Sequence, residues 1–405
     1  MKSAFRVLAL ALVVVLALGM MVPAFAQDGI EALTPNMTVN DGLITYAADN
    51  CDYGGSILSI QATAENQVVF TLCGPDGAFP QKVAFSSLGI QPYAHLQATG
   101  GGGEALFRNP VGTGPYQLNA WNLGSDIVLD RFDGYWGEPA REATAIFRWT
   151  TESAARLNEL LAGTVDGIDN PAAGDFDLIA SNPDLQLFDR PGLNIFYVGM
   201  NRDIAPFDNL NLRLAIAHAI DKSRIVDNFY PPGSSVATQF MPPDIFGYTE
   251  GLEDNVYDPD LSRQLLADSG LELPVNITMN YRDVVRGYLP QPGVVGQDIQ
   301  AQLAEVGINV NIEVMESGSF LDASDAGQLG FYMRGWGADY PDATNFLDVH
   351  FGIGASKQFG AGYPEIHDLL NQAGATSDPA TRLDLYAQVN TLIRDNAIVV
   401  PVANG

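Results

Sequence analysis

Only two cysteines, Cys51 and Cys73, occur in 405 residues, and basic side chains are scarce: 20 Lys and Arg stand against 48 Asp and Glu. A surface this acidic repels phosphate backbones, which argues against nucleic-acid partners. Histidine is equally sparse. His95, His218, His350 and His367 do not cluster in sequence, and no cofactor or metal site is expected from them. The motifs that carry catalysis are missing as well: there is no His-Glu-x-x-His, no Gly-x-Ser-x-Gly, no Ser-x-x-Lys and no phosphate loop. The turn Val165–Asp169 lacks the alternating acids of a calcium loop. No spacing marks a carboxylate pair for glycoside cleavage. A binding protein fits this inventory better than an enzyme; a secreted hydrolase is the rival from another class.

Long apolar runs are limited to one. Lys2 and Arg6 precede Val7–Val22, and PAFAQ then offers a cleavage site after Ala26. A basic start, a short apolar centre and small residues at the cut make a secretory signal peptide over residues 1–26. The run is short for a bilayer-spanning helix, which needs about 20 residues. No cysteine precedes Cys51, which leaves none for an N-terminal lipid. Removing Lys2 and Arg6 leaves 18 basic residues against 48 acids, a net charge of −30. In an exported chain Cys51 and Cys73 are expected to pair, closing a loop worth roughly 3 kcal/mol by the chain-entropy argument. Roughly 380 residues remain after Ala26, more than one core usually holds, so two lobes are expected.

The pattern of elements is mixed. Val68–Cys73 reads as a strand, Asn109–Leu118 as a Gly/Pro-punctuated turn entering a strand, and Ser125–Trp136 as a strand and an aromatic turn. Leu157, Leu160 and Leu161 share a helical face that Gly163 can terminate. Gly192–Asn201 has the composition of a buried strand. Asp208 is a candidate cap for a helix striped by Leu212, Ile216, Ala219 and Ile220, and Asp258 with Pro259 opens another. Val275–Tyr281 and Ile308–Val314 alternate apolar and polar residues around a helix carrying Ile299, Leu303 and Val306. That order argues two parallel strands joined by a right-handed crossover. Two helices, near Pro364 and over Asp378–Asp395, and a last strand at 397–405 complete an α/β protein. Ligands of open α/β sheets sit beyond the carboxyl ends of strands. Gly335–Asp348, GWGADYPDATNFLD, stands just there, placing Trp336, Asp339 and Tyr340 between glycines and a proline.

Several segments resemble the family 5 extracellular solute-binding proteins, the peptide-, dipeptide- and nickel-binding subunits of bacterial ABC importers. They are VVFTLCGPDGAF, NPVGTGPYQL, RFDGYWGEPA, the run from Gly192 to Val226, AQLAEVGINVNIE and GWGADYPDATNFLD, in that order between Gln67 and Pro401. The resemblance implies two α/β lobes of periplasmic-binding-protein type around a hinged cleft. Lobe one would span 27–200, shortened at its N-terminal part, and lobe two 201–397; 398–405 would form a return strand towards lobe one. Relatives also carry a strand reading TFxLRxGVxFxDG and continue beyond the position of Pro401; neither segment is found here. The resemblance further implies a monomer that binds a peptide or other small molecule and delivers it to an ABC permease. Asp339 would pair the ligand's α-amino group and Trp336 would form an aromatic wall, adding cation–π attraction of roughly 0.5–2 kcal/mol. Tyr340 precedes Pro341, which holds it extended. Arg334 meets either a ligand carboxylate or nearby acids, and Tyr197 and Asn201, at the implied hinge, either pack or touch ligand. Gly335 and Gly337 are read as keeping the backbone open to ligand, and Asp342 as a cap for the turn that follows. An oligosaccharide or a nickel chelate is the alternative ligand within the family, and His350 is the residue a metal-binding relative would use.

Overall fold

The computed structural model describes residues 37–40, 43–188, 190 and 192–405, and the signal-peptide reading lies outside them. The described chain divides into two compact units. One comprises residues up to Gly74 together with Gly89–Thr151, the other Pro75–Leu88 together with Glu152–Gly405.

The first unit is built from antiparallel strands. β1 (Met37–Asn40), β2 (Leu43–Ala47), β3 (Ile57–Ala64) and β4 (Gln67–Leu72) form a meander in sequence order. Cys51 and Cys73 form a disulfide there, tying the approach to β3 to the end of β4. β5 (Tyr116–Asn122), β6 (Asp126–Arg131) and β7 (Thr144–Arg148) form a second antiparallel meander. Its first hairpin turns at Gly124, whose φ of 77° is open only to a residue without Cβ strain.

The second unit carries a six-stranded mixed sheet in the order β11-β10-β12-β8-β13-β9. Its members are β8 (Asn194–Met200), β9 (Ser235–Val236), β10 (Val275–Arg282), β11 (Ile308–Met315), β12 (Phe331–Gly337) and β13 (Val399–Asn404). β10 and β11 run parallel, joined through the helix Pro292–Val306, as their alternating apolar residues predict. β8 lies between β12 and β13 and is antiparallel to both. Its central position explains its unbroken apolar sequence, because both faces are covered. Phe196, Val198 and Met200 enter a core with Leu212, Ile216, Met279, Ile299 and Leu303. Ile195 and Tyr197 enter the opposite core with Tyr332, Phe346, Leu347, Tyr386 and Val389. Each such side chain contributes about 1.5–3 kcal/mol on burial.

Helix ends follow the local chemistry. Asp258 accepts from the backbone N–H groups of Asp260 and Leu261, with Pro259 at the first helical position. Asp378 caps Pro379–Asp395 through the N–H of Thr381. The helix Leu210–Ala219 is capped one residue later than its sequence suggests. Asn209 does this in place of Asp208, because its amide both accepts from Leu212 N (3.2 Å) and donates to Ser269 O (2.8 Å).

One buried ion pair fixes the helix Pro379–Asp395 to the loop after β12. Arg382 donates to Asp342 Oδ1 at 2.8 Å, with side-chain exposures of 4% and 0%. The same guanidinium group donates to the Tyr386 hydroxyl at 2.8 Å and lies over the Phe246 ring. Removing the cation would leave a desolvated carboxylate with no counter-charge. Arg382→Ala is therefore expected to destabilise the second unit by about 3–5 kcal/mol, measured by urea denaturation at neutral pH. A loss under 1 kcal/mol would mean that Asp342 takes up a proton or finds water at little cost.

Candidate functional site

β12 delivers the candidate site at its carboxyl end. The strand stays paired with β8 to its last residues, Trp336 facing Ile195 and Gly337 facing Asn194, and the N–H of Ala338 extends the pairing to Leu193 O at 2.8 Å. Beyond that point the chain turns, and Asp342 caps the short 3-10 turn Ala343–Asn345 through the N–H of Thr344. This is the cap role that its place in the sequence suggests.

Asn345 holds the turn against the strand. Its side chain is 1% exposed. Its Oδ1 accepts from the Trp336 indole N–H and from the backbone N–H of Asp339, both at 3.0 Å. Its Nδ2 faces Asp339 Oδ2 at 3.4 Å. One amide thus places an indole and a carboxylate side by side. Trp336 is half-buried, Asp339 is exposed, and Tyr340 is half-buried with its hydroxyl accepting from Thr344 Oγ1 at 3.3 Å. Behind them the His350 ring stands edge-on to Trp336, with centroids 5.0 Å apart, and also meets Tyr197, Phe240 and Phe351.

The other three candidates face inward. Arg334 donates to Asp325 at 2.6 Å and also to Ser324 Oγ. Tyr197 is fully buried and donates to Gln358 Oε1 at 2.9 Å. Asn201, 1% exposed, donates to Gly327 O and Lys357 O, both at 3.1 Å. Their polar atoms are engaged within the fold, so Trp336, Asp339 and Tyr340 are the residues carried forward as ligand contacts. The glycines also divide. A Cβ on Gly335 would fall 2.2 Å from the Tyr288 ring, so that glycine admits a core aromatic, whereas Gly337 has open space around it. Asn345 reads in sequence as a structural residue, and its burial agrees. Its grip on both Trp336 and Asp339 has no sequence signal, since spacing does not say which way a turn residue points.

Two groups near the site, buried His350 and half-buried Asp348, titrate outside their ordinary ranges. Burial pushes His350 down to about 3, against the hydrogen bond its Nδ1 makes to Phe346 O at 2.7 Å. Burial also pushes Asp348 up to about 7; Lys82 opposes the shift, Asp342 and Asp76 add to it, and Arg382 opposes it.

Comparison with known proteins gives the family and the fold. Residues 30–358 match the family described as bacterial extracellular solute-binding proteins, family 5 Middle. The chain is 31% identical over 355 residues to the dipeptide-binding protein of Escherichia coli (strain K12), covering 86% of this chain and 66% of that one. It is 29% identical over 351 residues to heme-binding protein A of Haemophilus influenzae, covering 85% and 64%. The chain therefore spans slightly under two thirds of the length of these curated relatives. Among solved structures, the Pseudoalteromonas sp. SM9913 dipeptide-binding protein in complex with Met-Leu superposes with a TM-score of 0.77 at 21% identity, covering 92% of this chain and 85% of that one. A Helicobacter pylori periplasmic binding protein in complex with peptide STSA gives 0.76 at 23% identity, covering 92% and 83%. The fold is that of the α/β periplasmic binding proteins. Among the described residues, no helix is long and apolar enough to cross a membrane.

Two measurements test this local chemistry. Asn345→Ala leaves a buried indole N–H and a backbone N–H without an acceptor, so a loss of about 1–3 kcal/mol is expected. Faster exchange of the Trp336 indole proton should accompany it in NMR, and an unchanged exchange rate would refute the clamp. For Asp348 the folded carboxyl, at about 7, keeps a proton that the unfolded one, at 3.8, has released. Folded-state stability therefore falls as pH rises from about 4 to 7 and is level above that. Asp348→Asn removes the penalty. Its stability relative to the parent should climb across that window with a slope of up to about 1.4 kcal/mol per pH unit, read from urea midpoints. A difference that does not vary with pH would place the carboxyl in a wetter setting.

Proposed function

We propose that this chain, which belongs to the bacterial extracellular solute-binding proteins of family 5, binds peptides as an exported monomer and hands them to an ABC permease in the membrane. Asp339 pairs the ligand's α-ammonium group, and Trp336 forms the wall beside it. The observation that carries this reading is the exposed Asp339 carboxylate held next to a half-buried indole by the single amide of Asn345. A carboxylate fixed in this way offers a charge-assisted hydrogen bond, and the indole face adds attraction for the same cation. The backbone of a peptide needs no side-chain readout to be held by strand-like pairing, and the named dipeptide-binding relatives support that ligand class.

One finding favours a second ligand class. A relative named for heme binding is nearly as similar to this chain as the dipeptide-binding one. A tetrapyrrole has no ammonium group and would not use Asp339.

Isothermal titration with a dipeptide and its N-acetylated form separates the two. A hydrogen bond to a charged group contributes about 1.5–3 kcal/mol, so Asp339→Asn is expected to weaken dipeptide binding by roughly ten- to hundredfold. Acetylation of the ligand should weaken binding to the parent chain by a similar factor and matter little in the variant. Equal affinity for free and acetylated peptide would remove the ammonium role. Heme binding that survives Asp339→Asn, with no peptide binding by either chain, would replace the peptide reading altogether.

A further inference from the structure

His350 is shared between two surroundings. One is the edge-on contact with Trp336 at 5.0 Å. The other is a separate cavity of about 410 Å³ in the same unit, lined by neither Trp336, Asp339 nor Tyr340. Its deepest walls are His350, Phe351, Phe359 and Ile398, all buried, with His350 3% exposed. The phenyl rings of Phe351 and Phe359 stack at 5.1 Å and close one side with an apolar surface.

The chemistry of the imidazole is fixed. Nδ1 lies 2.7 Å from Phe346 O. A carbonyl oxygen only accepts, so Nδ1 carries the proton and Nε2 carries the lone pair. Burial holds the ring neutral down to about pH 3. Nε2 has no hydrogen-bond partner among the described residues, although the ring is almost wholly buried and borders the cavity. The imidazole thus brings a neutral acceptor to the wall it shares with Phe351, Phe359 and Ile398, while Asp203, Ser356, Lys357 and His367 line the rest. Tyr363, also on the wall, has a buried hydroxyl with no partner among the described residues.

The walls are held by specific contacts. Arg202 donates to Gly362 O at 2.8 Å and lays its guanidinium on the Tyr363 ring at 3.8 Å. Gly360, at φ 86°, lets the loop pass so close to Asn201 that a Cβ would fall 2.8 Å from its Oδ1. Asn201, a candidate ligand residue by sequence, anchors Lys357 in this wall. The volume falls in the range of small-ligand pockets, roughly 300–1,000 Å³, and is too small for a chain of several residues. The Asp203 carboxylate and the Lys357 ammonium both line the cavity, so neither sign of ligand charge is favoured.

We infer that this cavity is a second binding site, for a compact aromatic molecule of one or two rings whose single N–H or O–H donates to His350 Nε2. Indole and phenol represent the class. The site is independent of the peptide reading, since it uses none of the residues assigned to that ligand. Because His350 touches Trp336 edge-on, occupancy of the cavity would be felt at the indole wall of the first site.

The test uses the full chain labelled with ¹⁵N-histidine and titrated with indole, with 1-methylindole as the control that keeps the rings and lacks the donor. Indole is expected to shift the His350 Nε2 resonance saturably, and 1-methylindole to bind at least tenfold more weakly. Ala355→Phe, which places a ring in the cavity, should abolish the indole response. Equal affinity for the two indoles would overturn the hydrogen bond to Nε2 and with it the proposal. A His350 signal that does not move up to the solubility limit of indole would show a chamber that serves packing or water only. An undiminished response in Ala355→Phe would place the indole elsewhere and would equally refute the site.

Discussion

The candidate site depends on the buried pair Asp342–Arg382. Two ions withdrawn from water lose several kcal/mol of hydration each, and here the loss is offset only in part: the bonds fall on Asp342 Oδ1, while Asp342 Oδ2 and Arg382 Nε are buried without a partner among the described residues. Asp342 accepts from Arg382, from the N–H of Thr344 and from the Thr344 hydroxyl, while Arg382 also reaches Tyr386. The carboxylate does two jobs. It caps the turn that follows β12, and it locks that turn to the helix Pro379–Asp395. Asn345 is the last residue of that turn, so the position of its amide follows from the pair. Trp336 and Asp339 are placed in turn by the amide. A hydrophobic replacement of the pair would pack as well and would lose this directional chain, which is why the pair is better understood as setting geometry than as adding stability.

The ground beneath the site is neutral and aromatic. Tyr197, Phe240, His350 and Phe351 meet at centroid distances of 4.9–6.3 Å around the back of Trp336. Burial keeps the imidazole uncharged and holds the Tyr197 hydroxyl far above its ordinary range. No charge in this cluster competes with the carboxylate of Asp339 for a cation. Histidine here packs as a polar-edged aromatic. Among the described residues, no group of three or more His, Cys, Asp or Glu is placed to hold a metal ion.

Much of the second unit is written in short-range pattern. Alternation at Val275–Tyr281 and Ile308–Val314, with a fifteen-residue helix between them, specifies the parallel pair, and Asp258, Pro259 and Asp378 announce their helices. What short-range pattern does not carry is the direction of side chains on a strand buried on both faces. Ile195–Met200 is apolar throughout, so nothing in it says that Tyr197 turns towards the helices of residues 347–395 while Phe196 and Val198 turn away. Arg334 presents the same difficulty: its partners, Ser324 and Asp325, lie on a helix whose placement is a tertiary fact. Asn209 and Asp208 are equally good caps by composition, and only the long-range bond to Ser269 O separates them. On the turn after β12 the chain direction is constrained by Gly337, Pro341 and the cap at Asp342, and there the exposure of Asp339 follows from local pattern.

A carboxylate that is to meet a small cation is subject to a physical tension. A carboxylate buried deeply enough to bind strongly would take up a proton instead of remaining charged. A freely mobile one would lose side-chain entropy each time a ligand was bound. Asp339 lies between these limits. It remains in solvent, while its backbone is fixed by a 3.0 Å bond and its carboxylate leans on Asn345 Nδ2 at 3.4 Å. The weak second contact restrains direction without using up the oxygen's capacity to accept. The rigid part of the arrangement is Asn345, which is 1% exposed, and the charged part is only the exposed tip of Asp339. Separating the two in this way leaves the carboxylate preorganised without the protonation that burial would bring, as the neighbouring Asp348 illustrates: with Oδ2 buried and without a partner among the described residues, it is pushed up to about 7.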